Sequence, residues 1–86
     1  IQTAYHIYET LAYGKSLVGI ANPAEAKQLM VDYFAASEME LEYIEIVHPV
    51  TLIELSNDWV EGATACIVAY CGNVRLIDNL ELVPYS

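Results

Sequence analysis

Ala63-Thr64-Ala65-Cys66-Ile67-Val68-Ala69-Tyr70-Cys71-Gly72-Asn73-Val74-Arg75-Leu76-Ile77-Asp78-Asn79 decides the fold of this chain. Ala63 to Cys71 is almost wholly apolar on both faces of an extended strand, which predicts a central strand covered from two sides. Gly72-Asn73 then fits a two-residue hairpin turn, because Gly reaches the positive-φ conformations that tight hairpins require. The return strand runs from Val74 to Leu82. It carries Arg75, Asp78 and Asn79 in an otherwise apolar segment, where polar groups must be paired or they cost stability. Arg75 and Asp78 are an odd number of residues apart, so on a regular strand they face opposite sides and have different partners. The expected role of all three is structural: an Arg–Asp pair, and Asn–backbone bonds that fasten the last strand to the sheet or a helix end. A direct part in an active site is the second reading.

Upstream, Leu41 to Val47 reads as a third strand, with Ile44 and Ile46 on one side. His48-Pro49 ends it, since proline lacks a ladder donor and restricts the residue before it. Thr51 to Leu55 reads as a short extended or turn segment and Ser56-Asn57-Asp58 as a loop. The first half of the chain is helical in pattern. Ala4, Ile7, Tyr8, Leu11 and Ala12 form a stripe over Ile1 to Tyr13, and Gly14 is the expected stop. Asn22-Pro23-Ala24-Glu25 combines a capping residue, a proline at the first helical position and a capping-box Glu. The helix it opens is expected to reach about Ala36, with Ala26, Leu29, Met30, Tyr33 and Phe34 on one face. Segregated helices followed by antiparallel strands give an α+β class, a two-layer sandwich with two helices packed on a three-stranded antiparallel sheet.

The 86 residues bound this to a single small domain, 1–86, and a hydrophobic content of 56% is enough for a core without disulfides. Twelve acids against three bases give a formal charge of −9. That excludes nucleic acid and an anionic membrane surface as partners, because both need clustered Lys and Arg. Lys15, Lys27 and Arg75 are too scattered to hold a triphosphate. No apolar run approaches the ~20 residues of a membrane span, and no signal peptide is visible. The chain opens without Met inside a helical pattern, so it is expected to be a piece of a longer polypeptide. Cys66 and Cys71 fall on opposite faces of one strand and cannot bridge. They read as reduced core thiols of a cytoplasmic protein. His6 and His48 are isolated, so no metal site is expected.

Two segments carry a family resemblance. Tyr43-Ile44-Glu45-Ile46-Val47-His48-Pro49-Val50-Thr51-Leu52 resembles Tyr-Val-Glu-Val-Val-Asp-Pro-x-Thr-Leu. Gly72 with Arg75-Leu76-Ile77-Asp78-Asn79 resembles Gly-x-x-Arg-Leu-Ile-Asp-Asn. Both are patterns of the C-terminal domain of the pantothenate synthetase (pantoate–β-alanine ligase) family. Ala4 to Leu11 is similar to a helix of that domain, a weaker signal. The signature positions are Pro49, Gly72, Arg75, Asp78 and Asn79. His48 departs from the pattern, which has Asp before the Pro.

The resemblance implies a small sandwich with a three-stranded antiparallel sheet. It implies an ATP-dependent enzyme that joins pantoate to β-alanine through a pantoyl adenylate, with ATP and Mg2+ as cofactors of the parent. The partner of this domain would be the N-terminal nucleotide-binding domain of the same enzyme. The family's catalytic and phosphate-binding signatures lie in that domain or just before the first helix here, so no catalytic, cofactor-binding or metal-binding residue carries over. What remains for this segment is a lid that excludes water from the adenylate. Two other readings stand beside it. One is a free-standing acidic α+β protein-interaction module, which needs an exposed apolar patch. The other is a small metabolite-binding regulatory domain, which needs a closed pocket with converging polar groups.

Overall fold

Asn22 and Glu25 do close a capping box. The Glu25 N–H donates to Asn22 Oδ1 (2.8 Å), and the Asn22 N–H donates to Glu25 Oε1 (3.0 Å). With Pro23 in the first turn, they start α2 (Pro23–Phe34). Pro23, Ala26, Met30 and Phe34 are buried at helical spacing, while Leu29 and Tyr33 form half-exposed flanks. The computed structural model describes residues 2–85, with side chains from Tyr5 onward.

Helix α1 (Gln2–Ser16) runs through Gly14 instead of stopping there. Gly14 is buried, and a Cβ on it would lie 2.5 Å from Met30 Sδ. The glycine is a notch for Met30 rather than a cap. The inward stripe is also rotated from the expected one: Ile7, Thr10, Leu11 and Gly14 are buried, while Tyr8 is exposed. Thr10 tolerates complete burial because its hydroxyl donates to the His6 carbonyl (2.9 Å). Tyr8 turned inward would strand its hydroxyl. Of the expected helix, Ile1 and the Ala4 side chain lie outside the described residues.

Strands β1 (Glu40–Val47), β2 (Thr64–Cys71) and β3 (Val74–Glu81) form one antiparallel sheet in the order β1-β2-β3. The β2–β3 turn has positive φ at Gly72 (+61°) and not at Asn73, which makes it type II′. Ala65, Ile67 and Ala69 of β2 join Ile44 and Ile46 of β1 beneath the helices, all buried with Ile7, Leu11, Met30, Phe34 and Leu82. So β2 is central, as expected, but helices cover only one of its faces. On the other face Val68 is nonetheless fully buried. The register places Tyr43 and Ile77 on either side of it, and side chains do the covering. Among the described residues no helix is long and apolar enough to cross a membrane.

The chain between β1 and β2 folds back on β1. The His48 N–H donates to the Ile53 carbonyl (2.9 Å), and the Leu55 N–H donates to the Ile46 carbonyl (2.8 Å). Trp59 Nε1 donates to the Ala21 carbonyl (2.9 Å), tying this loop to the α1–α2 connection.

Candidate functional site

The signature strand β3 is an edge strand, and Arg75, Ile77, Asp78 and Asn79 are all exposed. Arg75 is paired, though not with Asp78. Its guanidinium forks onto Glu42 of β1, Nε to Oε1 at 3.0 Å and Nη2 to Oε2 at 3.2 Å. The pair spans the outer face of β2. A bulge between Leu41 and Tyr43 brings Glu42 there, so that Glu42 and Tyr43 both turn outward. The sequence carries a hint of this: strict alternation would put Glu42 on the side of buried Ile44. Asp78 Oδ1 accepts the neighbouring Asn79 N–H (2.8 Å). On an edge strand this withdraws a donor from other chains.

The Arg75 guanidinium holds the Glu42 carboxyl below its ordinary range, and Glu42 in turn pushes Arg75 up. A lowered carboxylate contributes its stability above the ordinary carboxylate range, and that contribution fades as pH falls through the folded-state value. Both groups are in water, so salt screens them and the effect is small. Glu42→Gln is therefore expected to shift the urea midpoint only slightly at neutral pH. The gap to wild type should close at acid pH or in concentrated salt. A gap that persists under both conditions would mean that Glu42 works through packing and not through charge.

At the other signature segment, His48 Nδ1 accepts the N–H groups of Val50 (3.1 Å) and Thr51 (3.3 Å). It acts as an acceptor where the family pattern has a carboxylate. Pro49 lies against Gly62: a Cβ on Gly62 would come within 2.9 Å of Pro49 Cγ and closer still to the Tyr85 hydroxyl. Beyond Pro49, Val50, Leu52 and Ile53 are largely exposed, and Leu52 is held at φ +62°.

Two of the three cations are engaged, Arg75 with Glu42 and Lys27 with Glu54. Lys15 sits in the last turn of α1. Among the described residues no three His, Cys, Asp or Glu side chains stand close enough to hold a metal. The thiols are not core residues as expected: Cys66 is half-buried on the outer face and Cys71 is exposed at the hairpin end. Burial pushes the Cys66 thiol up, and Glu45 and Asp78 add to it. That disfavours the thiolate a nucleophile needs.

The larger hollow, about 510 Å³ and open to solvent, is lined by His6 of α1, Ala36 to Met39 of the α2–β1 link, and Cys71-Gly72 of the hairpin. The His6 ring stacks on Tyr33 (centroids 5.6 Å apart, 3° between planes). Its Nδ1 is 3.7 Å from Glu9 Oε1. Its Nε2 is buried with no hydrogen-bond partner among the described residues. Three distant segments build this hollow, so no local pattern announces it. A smaller one, about 250 Å³, is lined by Ala24, Lys27, Glu54, Leu55 and Ser56. In the larger hollow Ser37 Oγ accepts the Met39 N–H, and in the smaller one Lys27 is paired with Glu54. Both are suited to contact rather than chemistry.

The sequence model of the family described as pantoate-beta-alanine ligase matches residues 1–81. The pantoate–β-alanine ligase of Arabidopsis thaliana is 37% identical over 83 residues, covering 94% of this chain and 26% of that protein. The pantothenate synthetase of Leptospira interrogans is 41% identical over 85 residues, covering 93% and 29%. The crystal structure of pantothenate synthetase from Thermus thermophilus superposes with a TM-score of 0.85 at 35% identity, covering 96% of this chain and 30% of that one. The chain therefore belongs to the pantoate–β-alanine ligase family, and it spans less than a third of the length of these relatives.

Proposed function

We propose that this chain is the C-terminal lid domain of an ATP-dependent ligase that joins pantoate to β-alanine through a pantoyl adenylate. The supporting observation is the contrast in coverage: more than nine-tenths of this chain matches relatives of which it spans 26–30%. Its described residues do not fit ATP or Mg2+: Lys27 and Arg75 are committed to carboxylates, and no three His, Cys, Asp or Glu side chains stand together to hold a metal. Nucleotide, metal and both substrates belong, in this reading, to an N-terminal nucleotide-binding domain of a cytoplasmic enzyme. The lid supplies a rigid, water-excluding wall, since a mixed anhydride left open to solvent hydrolyses. Signature residues Pro49, Gly72, Arg75, Asp78 and Asn79 hold the fold of this domain and touch no reacting atom.

The test is an assay of AMP release and pantothenate formation. A full-length ligase carrying this domain should release AMP in step with pantothenate, and the 86-residue chain alone should do neither. Turnover by the chain alone would overturn the reading. The protein-interaction reading has one observation in its favour, the exposed Val50, Leu52 and Ile53 turn with Leu52 at φ +62°. Strained backbone under exposed apolar side chains is found at binding surfaces.

A further inference from the structure

We propose that the outer face of the sheet, which α1 and α2 do not cover, is a docking surface for a basic amphipathic helix of another protein. Such a helix carries an apolar stripe flanked by Lys and Arg. This goes beyond the lid reading and does not depend on it.

The register fixes what this face presents. Tyr43 of β1 and Ile77 of β3 stand directly opposite Val68 of β2. Tyr43 and Ile77 are 36% and 58% exposed, and Val68 between them is sealed. The three form an unbroken apolar row across the sheet. Cys66 and Tyr70, two residues either way along β2 and so on the same side, are half-buried. The less polar surface therefore follows the central strand, and the charges keep to the flanks. On β1 Glu45 is opposite Cys66, and on β3 Glu81 is opposite Thr64. Glu42 and Arg75 neutralise each other nearer the hairpin. Lys27 is paired on another part of the surface and Lys15 ends α1. Among the described residues no cation is left to offset Glu45 or Glu81. Apolar and aromatic groups with charge held at the rim are the composition of an interface core.

Shape and charge choose the occupant. β1 and β3 lie about 10 Å apart on either side of β2, close to the diameter of one helix with its side chains. A helix laid along β2 would rest its apolar stripe on the Tyr43–Val68–Ile77 row. Its two flanks would stand above Glu45 on one side and Glu81 on the other, where Lys or Arg completes the pairing. Sheets accept helices in this way, and the opposite face of this one already does. A second copy of this chain is the poorer fit. Two such faces in contact would bring together uncompensated charges of one sign, in molecules that each carry −9. An anionic membrane is repelled for the same reason.

The probe is a fluorescent Leu–Lys peptide of about 17 residues, long enough as a helix to span the eight residues of β2. Its Leu residues recur at i, i+3, i+4 and i+7. Anisotropy with a full-length ligase carrying this domain should show saturable binding that weakens as salt rises. Ile77→Glu, which sets a charge in the apolar row, should weaken binding by about tenfold. Glu81→Lys should weaken it by about threefold and flatten the salt dependence. Ile53→Glu, in the exposed turn after β1, should change nothing. Melting temperatures should hold, since Ile77, Glu81 and Ile53 are all exposed. A peptide of the same composition, scrambled so that no face is apolar, should not saturate. Equal binding of the scrambled peptide would mean attraction by charge alone and would overturn the proposal. So would binding that Ile77→Glu and Glu81→Lys leave intact, or no binding at all. Dimerisation in light scattering that Ile77→Glu abolishes would assign the face to a second copy and overturn it as well.

Discussion

Ile67→Ala is expected to destabilise the domain by about 2–5 kcal/mol. Ile67 is fully buried at the centre of β2, between Ile44 of β1 and Asp78 of β3. Both helices close over this face, α1 directly on β2 and β3, and α2 on β1. Removing the side chain beyond Cβ forfeits its transfer free energy and leaves a cavity. The cavity cannot collapse sideways, because β1 and β3 hold β2 by hydrogen bonds on both edges. Such a loss is a large share of the ~5–15 kcal/mol that stabilises a typical domain. Urea unfolding should show a lower midpoint with an unchanged slope. A loss below about 1 kcal/mol would mean that the helices settle into the gap. In the full-length ligase, under conditions where the variant stays folded, the softened base should let adenylate leak. AMP release would then exceed pantothenate formation. Tight coupling in a measurably destabilised variant would argue against a lid.

Gly62→Ala is expected to cost about 2–4 kcal/mol, from two separable sources. The first is conformational. Gly62 has φ +83°, a region that penalises any residue with a Cβ. Its N–H is bonded to the Val83 carbonyl (2.6 Å), so the backbone cannot rotate away without breaking that bond. The second is steric. The new methyl would meet the Tyr85 hydroxyl and Pro49 Cγ. Tyr85 is 62% exposed and can swing outward, but Pro49 is fixed by its ring. Thermal melting of Gly62→Ala, alone and with Tyr85→Ala, separates the two. The double variant should recover part of the loss and keep the conformational share. Full recovery would mean that the left-handed backbone at this position carries no strain.

These two positions show where local signals were sufficient and where they were not. The capping box at Asn22 and Glu25 and the Gly72-Asn73 turn were legible because each is completed within a few residues by backbone sterics and short hydrogen bonds. The α+β class, the order of elements and the central place of β2 follow from such signals and from hydrophobic period. The family was legible for a similar reason, as two short segments with specific residue order. Gly14 was not legible. A glycine near a helix end looks the same whether it caps that helix or makes room for Met30 of another one, and only packing distinguishes the two. The inward stripe of α1 depended on whether Thr10 or Tyr8 could satisfy its hydroxyl after burial, which the placement of α2 and the sheet decides. Arg75 needed a partner, as its residue type required. That the partner is Glu42, 33 residues away, depended on strand register and a bulge that turns Glu42 outward. The hollow at His6 joins three segments that only the fold brings together. Sequence alone determined the elements, their order and the family, because those are written over short distances in the chain. Tertiary structure decided which polar groups pair, which face is shielded and where a partner can sit, because those depend on contacts between residues the chain keeps far apart.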